Sequence, residues 1–316
     1  PGDWAYLPIG ILVVTLIFAF LGIGQKFVSG IDPRSLFATR NTYAAMINLI
    51  ALPTTAYFIN PKLSRYRLSI LLGTAVTPTY PRHPTALAQQ ALTTGAACQG
   101  RFTLGIGLSH QVVIENMLGL SYSKPARHMR EYLAVLLPLL RGETVSHQGE
   151  LYQVNQIKLA MPGQTEVPTL VAALGPVMLK LAGQQAQGTI TWMTGPKTLE
   201  KHIIPTINAA AAAAGKPNAR IAAGFPILIT NNESAAREQI GKSLQIYGML
   251  PSYRAMLDRE GIAGPQDLAL VGSETSVRGA MTRLRDLGVT EFCAAISADN
   301  DEEQNRTRAF LASECA

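Results

Sequence analysis

Gly73-Thr74-Ala75-Val76-Thr77-Pro78-Thr79-Tyr80-Pro81-Arg82-His83-Pro84, followed a helix later by Phe102-Thr103-Leu104-Gly105-Ile106-Gly107-Leu108-Ser109-His110, decides how this chain folds. Each stretch contains an apolar run that ends in an unusual turn. The strand expected over 68–76 runs into Pro78, Pro81 and Pro84, which remove backbone donors and fix φ, so neither a helix nor a central strand continues through them. The strand expected over 102–107 ends in Gly-x-Gly, which lets backbone approach a ligand closely. Between them, 85–100 is rich in Ala, Leu and Gln and closes on a glycine, the pattern of a helix with its C-terminal stop. Strand, helix and parallel strand form a βαβ unit, whose ligand site is expected at the carboxyl ends of the strands.

The same pattern extends outward in both directions. Apolar runs at 9–14, 35–40, 169–174, 189–194, 221–230 and 290–296 read as further strands, with helices at 176–187, 197–215, 233–247, 253–260 and 274–287. Over 125–141, Met129, Leu133, Leu136 and Leu137 alternate with Arg127, Arg130 and Glu131, an amphipathic helix stopped by Gly142. Residues 143–167 break the alternation. Around His147 to Val154 they read as a hairpin or extended excursion ending at the Pro162-Gly163 turn, an insertion after the fourth strand. Eight strands alternating with helices give a TIM (β/α)8 barrel, with 1–316 as a single α/β domain.

Composition agrees with one large core: the 316 residues are 47% hydrophobic and 15% charged. A net charge of +6 favours an anionic ligand. The basic residues are scattered, however, without a basic run or an aromatic stacking pattern, so no nucleic-acid partner is expected. Cys98, Cys293 and Cys315 fit neither a metal spacing nor a disulfide framework, which points to a reducing, cytoplasmic compartment. Five dispersed histidines give no metal site.

The start of the chain has two readings. Residues 6–24 are long and apolar enough to span a bilayer, with Trp4, Tyr6 and Lys26 as interface anchors. Alternatively, 9–14 is a buried first strand followed by an apolar helix. The barrel argument favours the second, because a barrel lacking two strands leaves open edges. Membrane anchoring through 6–24 stays as the alternative localisation, and a homodimer is left open.

At 73–84 and 100–107 the chain resembles the luciferase-like monooxygenase superfamily, and more narrowly its actinobacterial oxidoreductases that use the deazaflavin coenzyme F420. The resemblance continues through Val171-Ala172-Ala173-Leu174-Gly175-Pro176, Gly188-Thr189-Ile190-Thr191-Trp192-Met193-Thr194-Gly195 and Leu287-Gly288-Val289-Thr290-Glu291-Phe292. It implies a TIM barrel with an insertion and a non-prolyl cis peptide at Ala75-Val76 beneath the deazaflavin ring, with Thr74 and Thr77 beside it. It implies that Gly105, Gly107, Leu108 and Ser109 cradle the cofactor's side chain and phosphate. By the same resemblance Ala172, Ala173, Leu174 and Gly175 line the phosphate and ribityl region, and Thr194 and Gly195 border the substrate end.

One departure carries chemical weight. Sugar-phosphate dehydrogenases of the superfamily place a catalytic glutamate where this chain has His110. An imidazole can exchange a proton near the reacting carbon, so His110 is the candidate catalytic residue, but the inference to sugar-phosphate oxidation is lost. The implied function is hydride transfer between F420 and a small organic substrate. The alternatives are an FMN-dependent luciferase-like monooxygenase and, from another class, a membrane-anchored or non-catalytic barrel protein.

The remaining candidates have plainer readings. His83 is expected to cap the helix that follows it, and Arg127, His128 and Arg130 to form an exposed helix face. Trp192 is either pocket wall or core. Lys197 and Arg283 are candidate ligands for an anionic tail, with surface exposure the simpler reading. Ser109-His110 lacks the Gly-x-Ser-x-Gly context of a hydrolase nucleophile.

Overall fold

The computed structural model describes residues 72–314. The strands expected over 9–14 and 35–40, the apolar run 6–24, the first part of 68–76 and Cys315 lie outside the described residues. The described residues belong to two compact units: the first runs to Leu104 and resumes over Leu108–Pro168, and the second takes Gly105–Gly107 and the chain from Thr169 onward.

In the first unit, β1 (Leu72–Gly73) pairs in parallel with the start of β3 (Phe102–Gly107), Leu72 opposite Phe102 and Gly73 opposite Thr103. A short β2 (Thr77–Pro78) lies between them in sequence. Helix α1 (Pro84–Ala97) starts on Pro84, whose missing N–H is harmless in a first turn, and buries Leu87, Ala88, Ala91 and Leu92. It ends as anticipated, at Gln99 and Gly100 with φ of 52° and 79°. A π-helical turn at Val112–Met117 follows the second stretch. Helix α2 (Pro125–Leu140) buries Met129, Leu133, Leu136 and Leu139, and the insertion is an antiparallel hairpin of β4 (Val145–Gln148) and β5 (Gln153–Ile157).

The second unit carries a parallel sheet in the order β6 (Thr169–Ala172), β7 (Gly188–Trp192), β8 (Arg220–Ile229), β10 (Glu291–Ile296). Its register sets Ala172 opposite Ile190, Trp192 opposite Gly224 and Cys293 opposite Gly224. Two of the expected strands stop early, at Ala172 and Trp192, so Leu174 and Thr194 lie beyond strand ends. From Ile221 on, β8 is buried, the continuous apolar run of a strand covered on both faces.

An unexpected strand, β9 (Leu270–Gly272), pairs with Ile227–Ile229. Ile227 also pairs with Ile296 of β10, so β9 occupies the opposite edge of β8, beyond the point where β7 has ended. Pro226 falls between them. Arg220 N–H donates to Gln187 O on the β7 side, and alternation turns the Pro226 nitrogen to that same side, where the ladder is interrupted.

Helix α3 (Pro176–Gln185) packs closely on α4 (Ile204–Ala213), which continues from a π-helical stretch at Leu199–Ile203. Helices α5 (Glu233–Ser243), α6 (Gln245–Met249), α7 (Pro251–Glu260) and α8 (Glu274–Asp286) follow, together with a C-terminal α9 (Asp301–Glu314) that the sequence pattern did not announce. Thr307 and Phe310 of α9 are buried, and Thr307 Oγ1 accepts the Ile229 N–H at 3.0 Å. The architecture is an α/β fold with a parallel sheet.

The α3–α4 contact is testable. A Cβ on Gly183 would stand 2.5 Å from Ile207 O and 3.0 Å from Ala210 Cβ. Gly183→Val should lower the unfolding free energy by about 1–3 kcal/mol, read as a fall in urea midpoint with unchanged slope.

Candidate active site

Three aromatic side chains and a histidine fix the tip that follows Ala75–Val76, a peptide bond that is cis. Tyr80 stacks on His128, with ring centroids 3.8 Å apart, and on Tyr122 at 5.1 Å. His128 Nε2 lies 2.9 Å from Thr79 Oγ1, and Tyr152 packs edge-on to the imidazole at 5.5 Å. This corrects the expected exposed face on α2: Arg127 and Arg130 are exposed, but His128 is only 4% exposed. Burial pushes its pKa down to about 4, against the opposing charge of Glu131.

Glu131, also buried, accepts the backbone N–H groups of Glu150 (3.2 Å), Leu151 (2.8 Å) and Tyr152 (3.1 Å). Burial raises its pKa, but the Leu151 and Tyr152 N–H groups outweigh that and hold the carboxyl below its ordinary range. Gly149 is required beside it, since a Cβ there would stand 2.2 Å from Glu131 Oε2. Lys124 and Arg127 both pair with Glu150 at the same hairpin tip. The expected cap is present: His83 Nδ1 accepts Thr85 N–H at 3.3 Å.

The turn after β3 sits two positions later than Gly-x-Gly suggests. Gly105 and Gly107 are buried without positive φ, and Ser109 adopts the left-handed region at 63°. Tyr122 OH donates to Ser109 O at 3.4 Å, and His110 O accepts from Val113 N and Ile114 N, both at 2.9 Å. His110 is half-buried, and burial lowers its pKa, so the neutral imidazole is favoured.

In the second unit, β6 leads through Ala172, Ala173 and Leu174 to Gly175, where α3 begins with no side-chain cap. Nothing stands within 4 Å of where a Gly175 Cβ would be. His202 Nε2 holds Leu174 O at 2.9 Å. The result is an open helix N-terminus behind small side chains, a donor set that suits a phosphate. The helix start at Pro196 is the opposite case. Glu260 accepts from Lys197 N (3.1 Å), Thr198 N (2.8 Å) and Thr198 Oγ1 (2.8 Å), and fills the space beside Gly195.

Thr194 is buried, its Oγ1 donating to Trp192 O at 3.3 Å. Trp192 packs edge-on to Tyr247 at 6.3 Å. Lys197 and Arg283 are exposed, as the simpler reading had it, and Arg283 borders a cavity of about 410 Å³ with Pro196, Glu260 and Asp267. Among the described residues no His, Cys, Asp and Glu group could hold a metal, and no helix is long and apolar enough to cross a membrane.

A family model for luciferase-like monooxygenases matches residues 69–291. The chain belongs to the luciferase-like monooxygenase family. Among its relatives, this family member is 32% identical over 181 residues to 5,10-methylenetetrahydromethanopterin reductase of Archaeoglobus fulgidus, covering 57% of this chain and 49% of that protein. It is also 32% identical over 152 residues to F420-dependent glucose-6-phosphate dehydrogenase of Microbacterium testaceum, covering 46% of this chain and 45% of that protein. The chain thus spans about half the length of these two relatives. The coenzyme F420-dependent tetrahydromethanopterin reductase of Methanopyrus kandleri shares the fold, with a TM-score of 0.63 at 21% identity over 83% of this chain and 92% of that one.

The buried histidine of this luciferase-like chain makes its stability pH-dependent. Because the folded-state pKa lies below the unfolded value, the neutral ring's contribution is complete above about 6.5 and is lost as pH falls toward about 4. Near pH 5, above the range where Glu131 titrates, the chain should have lost about 2 kcal/mol relative to neutral pH through His128. Denaturant unfolding of His128→Phe should show that much less dependence on pH over the same interval.

Proposed function

We propose that this chain is an F420-dependent oxidoreductase acting on a small organic substrate. The observation that carries the reading is the open, uncapped N-terminus of α3 behind Ala172, Ala173, Leu174 and Gly175, which offers backbone donors to a cofactor phosphate. The names of the relatives supply further support. When bound, F420 supplies hydride exchange with the substrate. In this reading the backbone of Gly105, Gly107, Leu108 and Ser109 contacts the cofactor's side chain, Thr74, Ala75, Val76 and Thr77 support its ring, and Thr194 and Gly195 border the substrate end. A complete TIM (β/α)8 barrel goes with it.

His110 is assigned the proton. Its imidazole favours the neutral form, so a ring nitrogen can accept a proton as a substrate alcohol is oxidised, or return one in the reverse direction. His110→Ala should leave F420 affinity unchanged and lower turnover roughly 100-fold. A fully active variant would remove the histidine from the chemistry. Turnover should also persist without dioxygen, because the deazaflavin lacks the nitrogen that supports oxygen chemistry. An activity that stops when oxygen is withdrawn would instead indicate an FMN-dependent monooxygenase.

A further inference from the structure

The tip after β2 also borders a cleft. Tyr80 to His83, Leu118, Leu120 and Tyr152 line it, an open cleft of about 410 Å³. That volume lies within the range of small-molecule pockets. Its walls are held from behind. His83 is fixed as the cap of α1, and Tyr152 packs edge-on to His83 at 5.6 Å and to Tyr132 at 5.5 Å while its N–H is held by Glu131.

Arg82 is the group in this cleft with donors to spare. One nitrogen, Nη1, donates to Pro78 O at 3.3 Å, and among the described residues no carboxylate pairs with its guanidinium. Lys124 and Arg127, on the neighbouring helix, are both already paired with Glu150. A guanidinium carries five N–H donors in a fork that matches a carboxylate. Beside it the lining is apolar, with Leu118 and Leu120 each 38% exposed.

Those two properties select the ligand. A hydrocarbon would cover Arg82 without satisfying it, which costs free energy. A small inorganic anion would leave the leucines and tyrosines in water. A phosphate dianion would bring more charge into an apolar cleft than one guanidinium neutralises. We propose that this cleft binds a small molecule that joins a flat apolar body to a carboxylate, the body against Tyr152, Leu118 and Leu120 and the carboxylate on Arg82.

The binding stands on the first unit alone. That this molecule is the substrate is the part that rests on the oxidoreductase reading, so binding is measured on the cofactor-free 316-residue chain. Benzoate and its neutral counterpart benzyl alcohol serve as probes, titrated by calorimetry. Benzoate should bind saturably, and Arg82→Gln should raise its Kd at least about ten-fold while changing that of benzyl alcohol little. Arg82→Lys should recover part of the loss. Leu120→Glu, with an unchanged unfolding midpoint, should abolish benzoate binding by setting a carboxylate on the rim. Absent saturable binding to the wild type, or equal benzoate affinity in Arg82→Gln, would overturn the proposal. Loss of benzoate binding when F420 is added would overturn the assignment to substrate.

Discussion

The buried carboxylate of Glu131 is the interaction on which the first unit depends. An ionised carboxylate removed from water is costly unless its oxygens are fully engaged, and here three consecutive backbone N–H groups engage them. Those donors belong to the tip of the β4–β5 hairpin, so the carboxylate decides where that hairpin lies on α2. Tyr152 is carried with it. Its ring packs against His128, His128 contacts Thr79, and Tyr80 stacks on the imidazole. The segment that follows Ala75–Val76 is therefore held through a relay that begins at one side chain on α2. Buried polar groups joined in this way are useful only as a set, since loss of one member leaves its partner desolvated and unpaired.

In the second unit the comparable constraint is the contrast between two helix starts. Both follow strand ends and both begin with glycine and proline. At Pro196 an internal carboxylate from α7 already satisfies the first N–H groups, so that start serves packing. At Pro176 no side chain does, and the space in front is open. The same local sequence pattern thus gives one capped and one uncapped helix start, and a residue distant in sequence makes the difference.

The parallel strands were legible because each is a dense apolar run bounded by glycine or proline, and His83 was legible as a cap because a helix-starting proline follows it. What escaped the sequence has physical reasons. β9 is three residues long, too short to display any period, and it exists because β8 outruns β7. α9 buries little beyond Thr307 and Phe310, so it has no apolar stripe. His128 was grouped with Arg127 and Arg130 as surface, yet 128, 131, 132 and 135 follow the i, i+3, i+4, i+7 spacing of one face. Two polar residues on that stripe disguised the buried side. The role of Glu260 rests on a contact with Thr198 across 62 residues, which no local pattern encodes. Of the candidate site, the composition of the strand ends could be read in advance, whereas the left-handed turn at Ser109 and the aromatic relay could not.

Equilibrium binding to the 316-residue chain tests the cofactor assignment most directly. F420 and FMN are titrated separately into cofactor-free protein, with fluorescence of each ring as the signal. Saturable, tight binding of F420 and weak or absent binding of FMN is the predicted result. Tight binding of FMN with no binding of F420 would contradict it.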